Sequence, residues 1–329
     1  MFMKKIYGNN LLISNLCNMK KAGRTAHTVL FYGEKGTGKK LMAEFYTSLL
    51  MCSNPTDNMP CGICNACKNI KAGTHPDVIY VETSGKLGGY SVDTARKICS
   101  DAFIKPNNDT GCKVYIFRDC HNIDVRTQNT LLKIIEEPPE YAYFIFTSET
   151  KTDFLPTIIS RCVCFGVSPC TEQETENALS ENGFSQADIE KAVDCFHGNI
   201  GMCTEYIENK DLQKLVDLTK RLADSIIRKD EYALDTALFT LNKNRNDVQT
   251  VLSMLDRLIR DSAVLIQDTK AKNIGCYRDG SVKLSYMLTS RQAEKIHYSI
   301  ERAWHTIECN VNIPLALSSL CAEIIETII

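Results

Sequence analysis

A glycine-rich loop placed between a short apolar run and an amphipathic segment limits this chain to few folds. Residues 33–39 follow the pattern G-x-x-x-x-G-K, whose backbone N–H groups cradle phosphate. Residues 28–32 before the loop are β-prone, and residues 40–51 after it carry apolar side chains near helical spacing. Because strand, glycine loop and helix in this order form a phosphate-binding loop, the sequence predicts an α/β domain with a parallel sheet.

The loop departs from this pattern at its last position. Lys40 stands where Ser or Thr normally ligates the magnesium ion of a bound nucleotide through its hydroxyl. The chain therefore has the scaffold of a nucleotide hydrolase without one of the groups that hydrolysis needs. The candidate nucleotide-binding residues are Gly33, Gly36, Thr37, Gly38, Lys39 and Lys40.

Further apolar runs predict three more strands of the same sheet, at 78–82, 113–117 and 143–147. A helix predicted over 126–137 ends at a pair of prolines, which cannot continue it. The strand signals stop near the end of this region, so the P-loop domain is predicted to span residues 1–166.

The second half of the chain is predicted to be helical. Short amphipathic segments over 167–208 predict a small helical lid, and longer ones over 209–329 predict an all-α C-terminal domain. Residues 273–285, which include two glycines, interrupt the helical pattern and predict a loop or a short irregular segment.

Composition excludes some broad classes of function. The net charge of −2 and the pI of about 6.3 do not suit a general nucleic-acid binder, so any DNA contact is expected to be local or shared with partners. No run of about 18 apolar residues predicts a membrane span, and the N-terminal segment lacks the apolar core of a signal peptide. A cytoplasmic location, where thiols stay reduced or bind metal, is therefore expected.

Four cysteines have the spacing of metal ligands. Cys61, Cys64 and Cys67 are three residues apart, and Cys52 precedes Cys61 by nine residues. Four thiolates can close a tetrahedral zinc site that leaves no position open to substrate, so a structural zinc module at 52–67 is predicted. A chance cluster of buried cysteines and a redox C-x-x-C pair are the alternatives, and the fourth cysteine disfavours the redox pair.

The strand at 113–117 ends in residues that a nucleotide hydrolase would use to hold magnesium. Arg118 stands at the position expected for the metal-binding Asp, and Asp119 follows where the water-polarising acid would stand. The replacement is cationic, as at Lys40, and a cation beside a divalent ion is unfavourable by roughly 4 kcal/mol per unit pair at 4 Å and an effective dielectric of 20. The alternative is that Asp119 alone holds magnesium from a shifted strand end.

Several segments together resemble the clamp-loader subunits of bacterial DNA polymerase III, which are AAA+ proteins, and most closely the delta-prime type. They are residues 27–31, the four cysteines, the run Q-N-T-L-L-K-I-I-E-E-P-P at 128–139, and I-I-S-R-C at 158–162. The resemblance covers residues 1–205 by motif, and the last third agrees in length and helical class. It implies an AAA+ P-loop domain, a helical lid and a C-terminal collar domain through which subunits assemble.

The resemblance also implies roles for individual residues. Arg161 matches the arginine finger that reaches the ATP site of a neighbouring subunit. Without the resemblance, the residues alone indicate a surface or capping arginine. Thr147, beside Ser148, matches the sensor at the end of the fourth strand, for which two ordinary strand-end hydroxyls are the alternative. Gly201 stands where active members of the family carry a lid arginine that contacts the γ-phosphate.

Three lost groups beside a retained trans arginine imply a non-hydrolysing, stator-like subunit without ATPase activity of its own. Such a subunit is expected to work in a ring with gamma/tau-like motor subunits and a delta-like subunit. It would meet the sliding clamp and primed DNA through that complex during DNA replication.

Binding of ATP or ADP to the loop of this chain is left open. The loop is either vestigial or binds nucleotide without magnesium, with Lys40 and Arg118 neutralising the phosphate oxygens. The alternative functions are an ATP-hydrolysing motor-type subunit and a stand-alone zinc-dependent nucleic-acid-binding protein. Lys40, Arg118 and Gly201 disfavour the first, and the balanced charge disfavours the second.

Overall fold

The computed structural model describes residues 5–83, 89–241, 244–309 and 311–329. The first four residues, part of the segment that disfavours a signal peptide, lie outside them. The chain forms two compact units, Met1–Glu174 together with Asn199–Gly201, and Thr175–Gly198 together with Met202–Ile329. Each unit has apolar cores of its own, and the finer division into P-loop, lid and collar domains stays a prediction.

The first unit is built on a five-stranded parallel sheet in the order β2-β3-β4-β1-β5. The four strands that the apolar runs predict are present, each within a residue of its predicted bounds. The fifth is missing from the prediction, since it is a four-residue edge strand whose residues are partly exposed. The strands are β1 Thr28–Tyr32, β2 Val78–Val81, β3 Lys113–Phe117, β4 Ala142–Ser148 and β5 Val163–Gly166.

Helices cover both faces of this sheet. Val29 and Phe31 lie in a core that includes residues of the first two helices, whereas Leu30 lies in the core on the other side. This alternation follows from the two-residue period of a strand, and it explains why β1 and β4 are apolar almost throughout. The helices of this unit are α1 Asn10–Lys21, α2 Lys39–Met51, α3 Asn65–Ala72, α4 Val92–Asp101, α5 Val125–Glu136 and α6 Pro156–Ile159, with 3-10 turns at Cys120–Asn122 and Lys151–Asp153.

Two of these helices have ends that position predicted site residues. Helix α2 begins after Gly38, whose φ of 94° lies in the left-handed region that glycine enters without strain. Helix α5 begins after Asp124, whose carboxylate accepts the N–H of Thr127 at 2.8 Å, and it ends at Glu136 before the two prolines. The glycine loop and the E-E-P-P segment therefore lie at helix ends, where backbone polar groups lack intrahelical partners.

The C-terminal half consists of helices joined by connecting segments in its described part. Its main core includes Leu222, Leu255, Ile296 and Ile324, which come from four different helices. No helix in the described ranges combines the length and the apolar character that crossing a lipid bilayer requires. The helices are α7 Glu172–Glu181, α8 Gln186–Phe196, α9 Ile200–Glu208, α10 Lys210–Arg228, α11 Glu231–Phe239, α12 Arg245–Gln267, α13 Arg278–Met287, α14 Ser290–Glu308 and α15 Ile313–Ile328.

The prediction of an irregular segment at 273–285 is wrong for the second part of that range. Helix α13 begins at Arg278 and buries Leu284 in the core of the second unit. Gly280 lowers the helix propensity of this stretch, but a Cβ there would lie 2.2 Å from the ring of Tyr277. The glycine therefore lets the helix pass close to that ring, while residues 273–277 lie outside a helix.

Candidate functional site

The glycine loop lies at the carboxyl end of β1, on the sheet edge where ligands bind in open α/β folds. Arg118 and Asp119 directly follow β3, and Thr147 is the next-to-last residue of β4. Because all strands are parallel, the topology brings these predicted residues to the same edge as the loop. The backbone N–H of Gly33 donates to the carbonyl of Ser148 at 3.2 Å, which ties the loop to β4.

The loop lysine is held by the loop itself. Lys39 Nζ donates to the carbonyl oxygens of Gly33 at 2.6 Å and of Glu34 at 2.8 Å, and the residue is 6% exposed. Thr37 Oγ1 donates to the same Glu34 carbonyl at 2.9 Å. Burial lowers the pKa of Lys39, because removal from water disfavours the charged form. A bound phosphate would have to draw this ammonium group away from two carbonyl oxygens.

Lys40 forms an ion pair with the acid that follows β3. Its Nζ lies 2.7 Å from Asp119 Oδ2, and the two side chains are 54% and 48% exposed. The backbone N–H of Asp119 donates to Thr147 Oγ1 at 3.0 Å, which holds this turn against β4. The predicted water-polarising acid is thus neutralised by the residue that replaces the magnesium-binding hydroxyl.

Arg118 pairs with a carboxylate that the sequence analysis missed. Its Nη2 lies 3.2 Å from Glu44 Oε1, and its guanidinium lies 4.2 Å from the ring centre of Tyr80. Glu44 follows Lys40 by four residues on α2, so the two side chains share one face of the helix. That spacing is the sequence signal through which Glu44 could have been found. Two ion pairs, Lys40–Asp119 and Arg118–Glu44, therefore join α2 to the end of β3.

The short segment Asn199–Gly201 contacts the loop. The backbone N–H of Gly201 donates to the Gly36 carbonyl at 3.0 Å, and Asn199 Nδ2 donates to the Lys35 carbonyl at 2.7 Å. A Cβ on Gly201 would lie 2.5 Å from the Gly36 carbonyl oxygen and 2.6 Å from its Cα. Position 201 therefore has no room for an arginine side chain while this contact is kept.

The hydroxyls at the end of β4 make contacts inside the domain. Thr147 is fully buried and accepts the N–H of Asp119. Ser148 Oγ donates to the carboxylate of Asp153, in the 3-10 turn that follows β4. A sensor role for Thr147 stays a prediction, since these contacts involve the protein's own groups.

Arg161 lies at the amino ends of the parallel strands, whereas the glycine loop lies at their carboxyl ends. It stands two residues before β5, which runs parallel to β1, so it is separated from the loop edge by the length of a four-residue strand, about 13 Å. Arg161 Nη2 lies 2.7 Å from Glu136 Oε1. Arg161 Nη1 donates to the Thr157 carbonyl at 3.0 Å and to Ser160 Oγ at 3.1 Å. This placement separates Arg161 from the phosphate loop of its own chain.

The four predicted metal ligands come together near the C-terminal end of α2. Their Sγ atoms all lie within 4.8 Å of one another, and a zinc ion about 2.3 Å from four tetrahedral sulfurs would set separations of about 3.8 Å. Cys52 follows α2 directly, and Cys64 precedes α3, where its Sγ accepts the N–H of Cys67 at 3.4 Å. The cluster could hold a metal ion. It is about 20 Å from the glycine loop along the 13 residues of α2, so it is remote from any nucleotide chemistry.

Backbone N–H groups around this cluster favour charged sulfurs. The N–H groups of Cys61 and Cys64 donate to the Sγ atoms of Cys52 and Cys61, both at 3.3 Å. Burial raises the pKa of Cys52 and of Cys67. Burial also acts to raise the pKa of Cys64, but hydrogen bonds, first from the Cys67 N–H and then from the Ser53 N–H, lower it to about 6. These N–H groups therefore suit the cluster to a positively charged ion.

Comparison with known proteins places these features in one family. Residues 8–171, which contain the loop, the cysteine cluster and Arg161, match the family model described as DNA polymerase III, delta subunit. A stretch of 138 residues is 35% identical to the DNA polymerase III subunit delta' of Pseudomonas aeruginosa, covering 42% of this chain and 42% of that protein. The chain belongs to the DNA polymerase III clamp-loader family. The parallel sheet and its glycine loop both lie within the matched residues.

Another clamp-loader relative matches a larger share of the chain. The DNA polymerase III subunit tau of Bacillus subtilis is 27% identical over 277 residues, which are 80% of this chain and 47% of that protein. The chain therefore spans about half the length, or less, of these curated relatives. Among solved structures, a gamma subunit-related protein of Thermotoga maritima aligns with a TM-score of 0.48 and 17% identity, over 94% of this chain and 98% of that one.

Proposed function

We propose that this chain is a non-hydrolysing, stator-like subunit of the DNA polymerase III clamp loader, of the delta-prime type. It would supply Arg161 to the ATP site of a neighbouring subunit while the sliding clamp is loaded onto primed DNA. The observation that carries this proposal is the pair of ion pairs, Lys40–Asp119 and Arg118–Glu44, at the place where a hydrolase binds magnesium.

The charges at this place oppose a divalent ion. A magnesium ion would have to take Asp119 from Lys40 and would then face two uncompensated cations, Lys40 and Arg118. Each such cation repels a unit charge at 4 Å by about 1 kcal/mol in water and about 4 kcal/mol at an effective dielectric of 20. These side chains are roughly half exposed, so the real value lies between those limits, and it doubles for a divalent ion. The missing hydroxyl at position 40 removes a ligand as well.

The position of Arg161 supports a role in trans. It lies on the sheet edge opposite the loop, so it serves no nucleotide bound to its own chain, yet its side chain is 39% exposed. An arginine supplied by one subunit to the ATP of another stabilises charge on the transferring phosphoryl group, and it accelerates hydrolysis by about 10³-fold or more. Such a chain contributes to catalysis without binding the metal itself.

The proposal extends to the cysteine cluster and to the helical half. Four cysteine sulfurs that all lie within 4.8 Å of one another suit a structural zinc ion, which would fix the end of α2 to the start of α3. The helices over 167–208 would form the lid, and those over 209–329 the collar that binds the motor-type and delta-like subunits. Contacts with the sliding clamp and DNA would then arise through the assembled ring.

The test is reconstitution of the chain with a motor-type clamp-loader subunit, followed by single-turnover hydrolysis of bound ATP with clamp and primed DNA. We expect Arg161→Ala to slow the phase from the neighbouring site by about 10³-fold, whereas Arg126→Ala, at an exposed position of α5, leaves it unchanged. Unchanged hydrolysis with Arg161→Ala contradicts the trans role. Magnesium-dependent hydrolysis by the isolated chain, abolished by Lys39→Ala, would instead identify a motor-type subunit.

A further inference from the structure

We propose that Glu136 is a positioning residue for Arg161, fixing the guanidinium at the subunit surface before a neighbouring subunit binds. The inference rests on the proposed trans role of Arg161. Neither the sequence pattern nor the comparisons assign a function to Glu136, which the E-E-P-P run contains as one of two adjacent acids. Its contact with Arg161 distinguishes it from the acid that follows.

The guanidinium is held at both of its terminal nitrogens. Glu136 Oε1 lies 2.7 Å from Nη2, while Nη1 donates to the Thr157 carbonyl at 3.0 Å and to Ser160 Oγ at 3.1 Å. These contacts engage three of the five N–H donors of the arginine. Thr157 and Ser160 are close in sequence to Arg161, so Glu136 is the partner that anchors it to a different element, the end of α5.

The helix end explains why an acid here needs a cation. The C-terminal end of a helix carries partial negative charge from its unpaired carbonyl groups, so carboxylates are disfavoured there. Helix α5 nevertheless ends in Glu136 and is followed by Glu137. Arg161 brings a positive charge to this end and offsets both the carboxylate and the helix carbonyl groups. The local electrostatics therefore favour the observed position of the arginine.

The strength of the pair suits a group that must later move to a phosphate. The side chains of Arg161 and Glu136 are 39% and 43% exposed, so water and salt weaken their attraction. A free arginine has many rotamers and loses that freedom when it docks. Holding it in one place beforehand lowers the entropy lost on docking, while the weak pair can be exchanged for a neighbour's phosphate.

The experiment compares Glu136→Ala and Glu136→Gln with the matched control Glu137→Gln in the reconstituted complex. Glu137 is the adjacent exposed acid, so its variant changes net charge equally. We expect Glu136→Ala to slow single-turnover hydrolysis at the neighbouring site about threefold to tenfold, the factor that one lost hydrogen bond implies. Glu136→Gln, which keeps an acceptor oxygen, is expected to slow it less. ATP affinity of that site should not change, because the arginine acts on the transition state.

A second readout on the isolated chain reports the position of the arginine directly. Phenylglyoxal modifies accessible guanidinium groups, and peptide mass spectrometry measures the modification of Arg161. We expect faster modification in Glu136→Ala than in the wild type or in Glu137→Gln, with the same thermal unfolding temperature. A general loosening of the end of α5 would lower that temperature, and that result contradicts a positioning role.

The outcomes of these experiments distinguish failure of the positioning role of Glu136 from failure of the proposed function. If Arg161→Ala leaves hydrolysis unchanged, the trans role fails and the positioning role fails with it. If Arg161→Ala slows hydrolysis but Glu136→Ala behaves as the wild type in hydrolysis and in modification, the positioning role alone is overturned. Equal slowing by Glu136→Gln and Glu137→Gln indicates a general charge effect and also overturns it.

Discussion

Replacing Gly201 by alanine measures whether its contact with the phosphate loop excludes a side chain. The added Cβ would lie 2.5, 2.6 and 2.9 Å from the carbonyl oxygen, Cα and carbonyl carbon of Gly36. All three are backbone atoms, so no flexible side chain can move aside. The start of α9 or the loop must shift, which also strains the hydrogen bond from the Gly201 N–H to the Gly36 carbonyl.

The sign of the change in stability shows whether the gain in helix propensity or the cost of overpacking is larger in Gly201→Ala. Gly201 is the second residue of α9, and alanine in place of a helical glycine normally stabilises by about 0.5–1 kcal/mol. Overpacking against fixed atoms costs about 1–3 kcal/mol, and a weakened hydrogen bond costs about 0.5–1.5 kcal/mol more. The first unit should therefore lose about 1–3 kcal/mol of stability in Gly201→Ala.

Hydrogen exchange resolves the two units in one experiment. Exchange at the amides of β1 and β4 and in the loop should accelerate in Gly201→Ala. The single tryptophan, Trp304, lies on α14 in the second unit, so its fluorescence transition in denaturant should stay in place. Ala187→Gly is the matched control, because Ala187 is exposed and is likewise the second residue of its helix, α8.

The control also defines the result that refutes this reasoning. If Gly201→Ala stabilises the first unit by about as much as Ala187→Gly destabilises its own helix, position 201 tolerates a side chain. The close contact would then not explain the absence of an arginine there. The third lost catalytic group would rest on the short sequence match alone.

Two further predictions concern bound ions and nucleotide. The purified chain should contain about one zinc ion per chain by elemental analysis. Cys64→Ser should lose this zinc and destabilise the first unit, whereas Cys309→Ser, at an exposed cysteine of the second unit, should do neither. Full stability of the first unit without metal would contradict this prediction. Any ADP binding measured by calorimetry should be equal with magnesium and with EDTA, because Lys40 occupies Asp119, and a strict magnesium requirement would contradict this.

The sequence predicts those elements whose burial has a regular period. Strands β1 to β4 are apolar runs, of which β1, β3 and β4 are buried almost throughout. Helices α2 and α5 combine helical spacing with a glycine loop or a proline stop. Strand β5 and helix α13 lack that signal, because one is a partly exposed edge strand and the other contains Gly280. Their formation depends on contacts with residues distant in sequence.

The residues of the candidate site are also of two kinds, those that can be recognised in the sequence and those that cannot. The loop and the cysteines are recognisable because spacing along the chain defines them, whereas Arg161 is singled out by the resemblance of its motif to a known family. Their partners are not, since Glu136 meets Arg161 across 25 positions of sequence and Glu44 meets Arg118 across 74. Such pairs follow from the strand order, which places the ends of distant elements together.

The two ion pairs also explain why single substitutions would not restore a magnesium site. Lys40→Ser supplies the hydroxyl but leaves Asp119 beside Arg118, which keeps its positive charge and its contact with Glu44. Arg118→Asp supplies the acid but places it near Glu44, where two like charges repel each other, while Lys40 still neutralises Asp119. Arginine at Gly201 has no space beside the loop. Each change alone leaves at least one of the other groups missing, so under the proposed function a magnesium site would require all of them together.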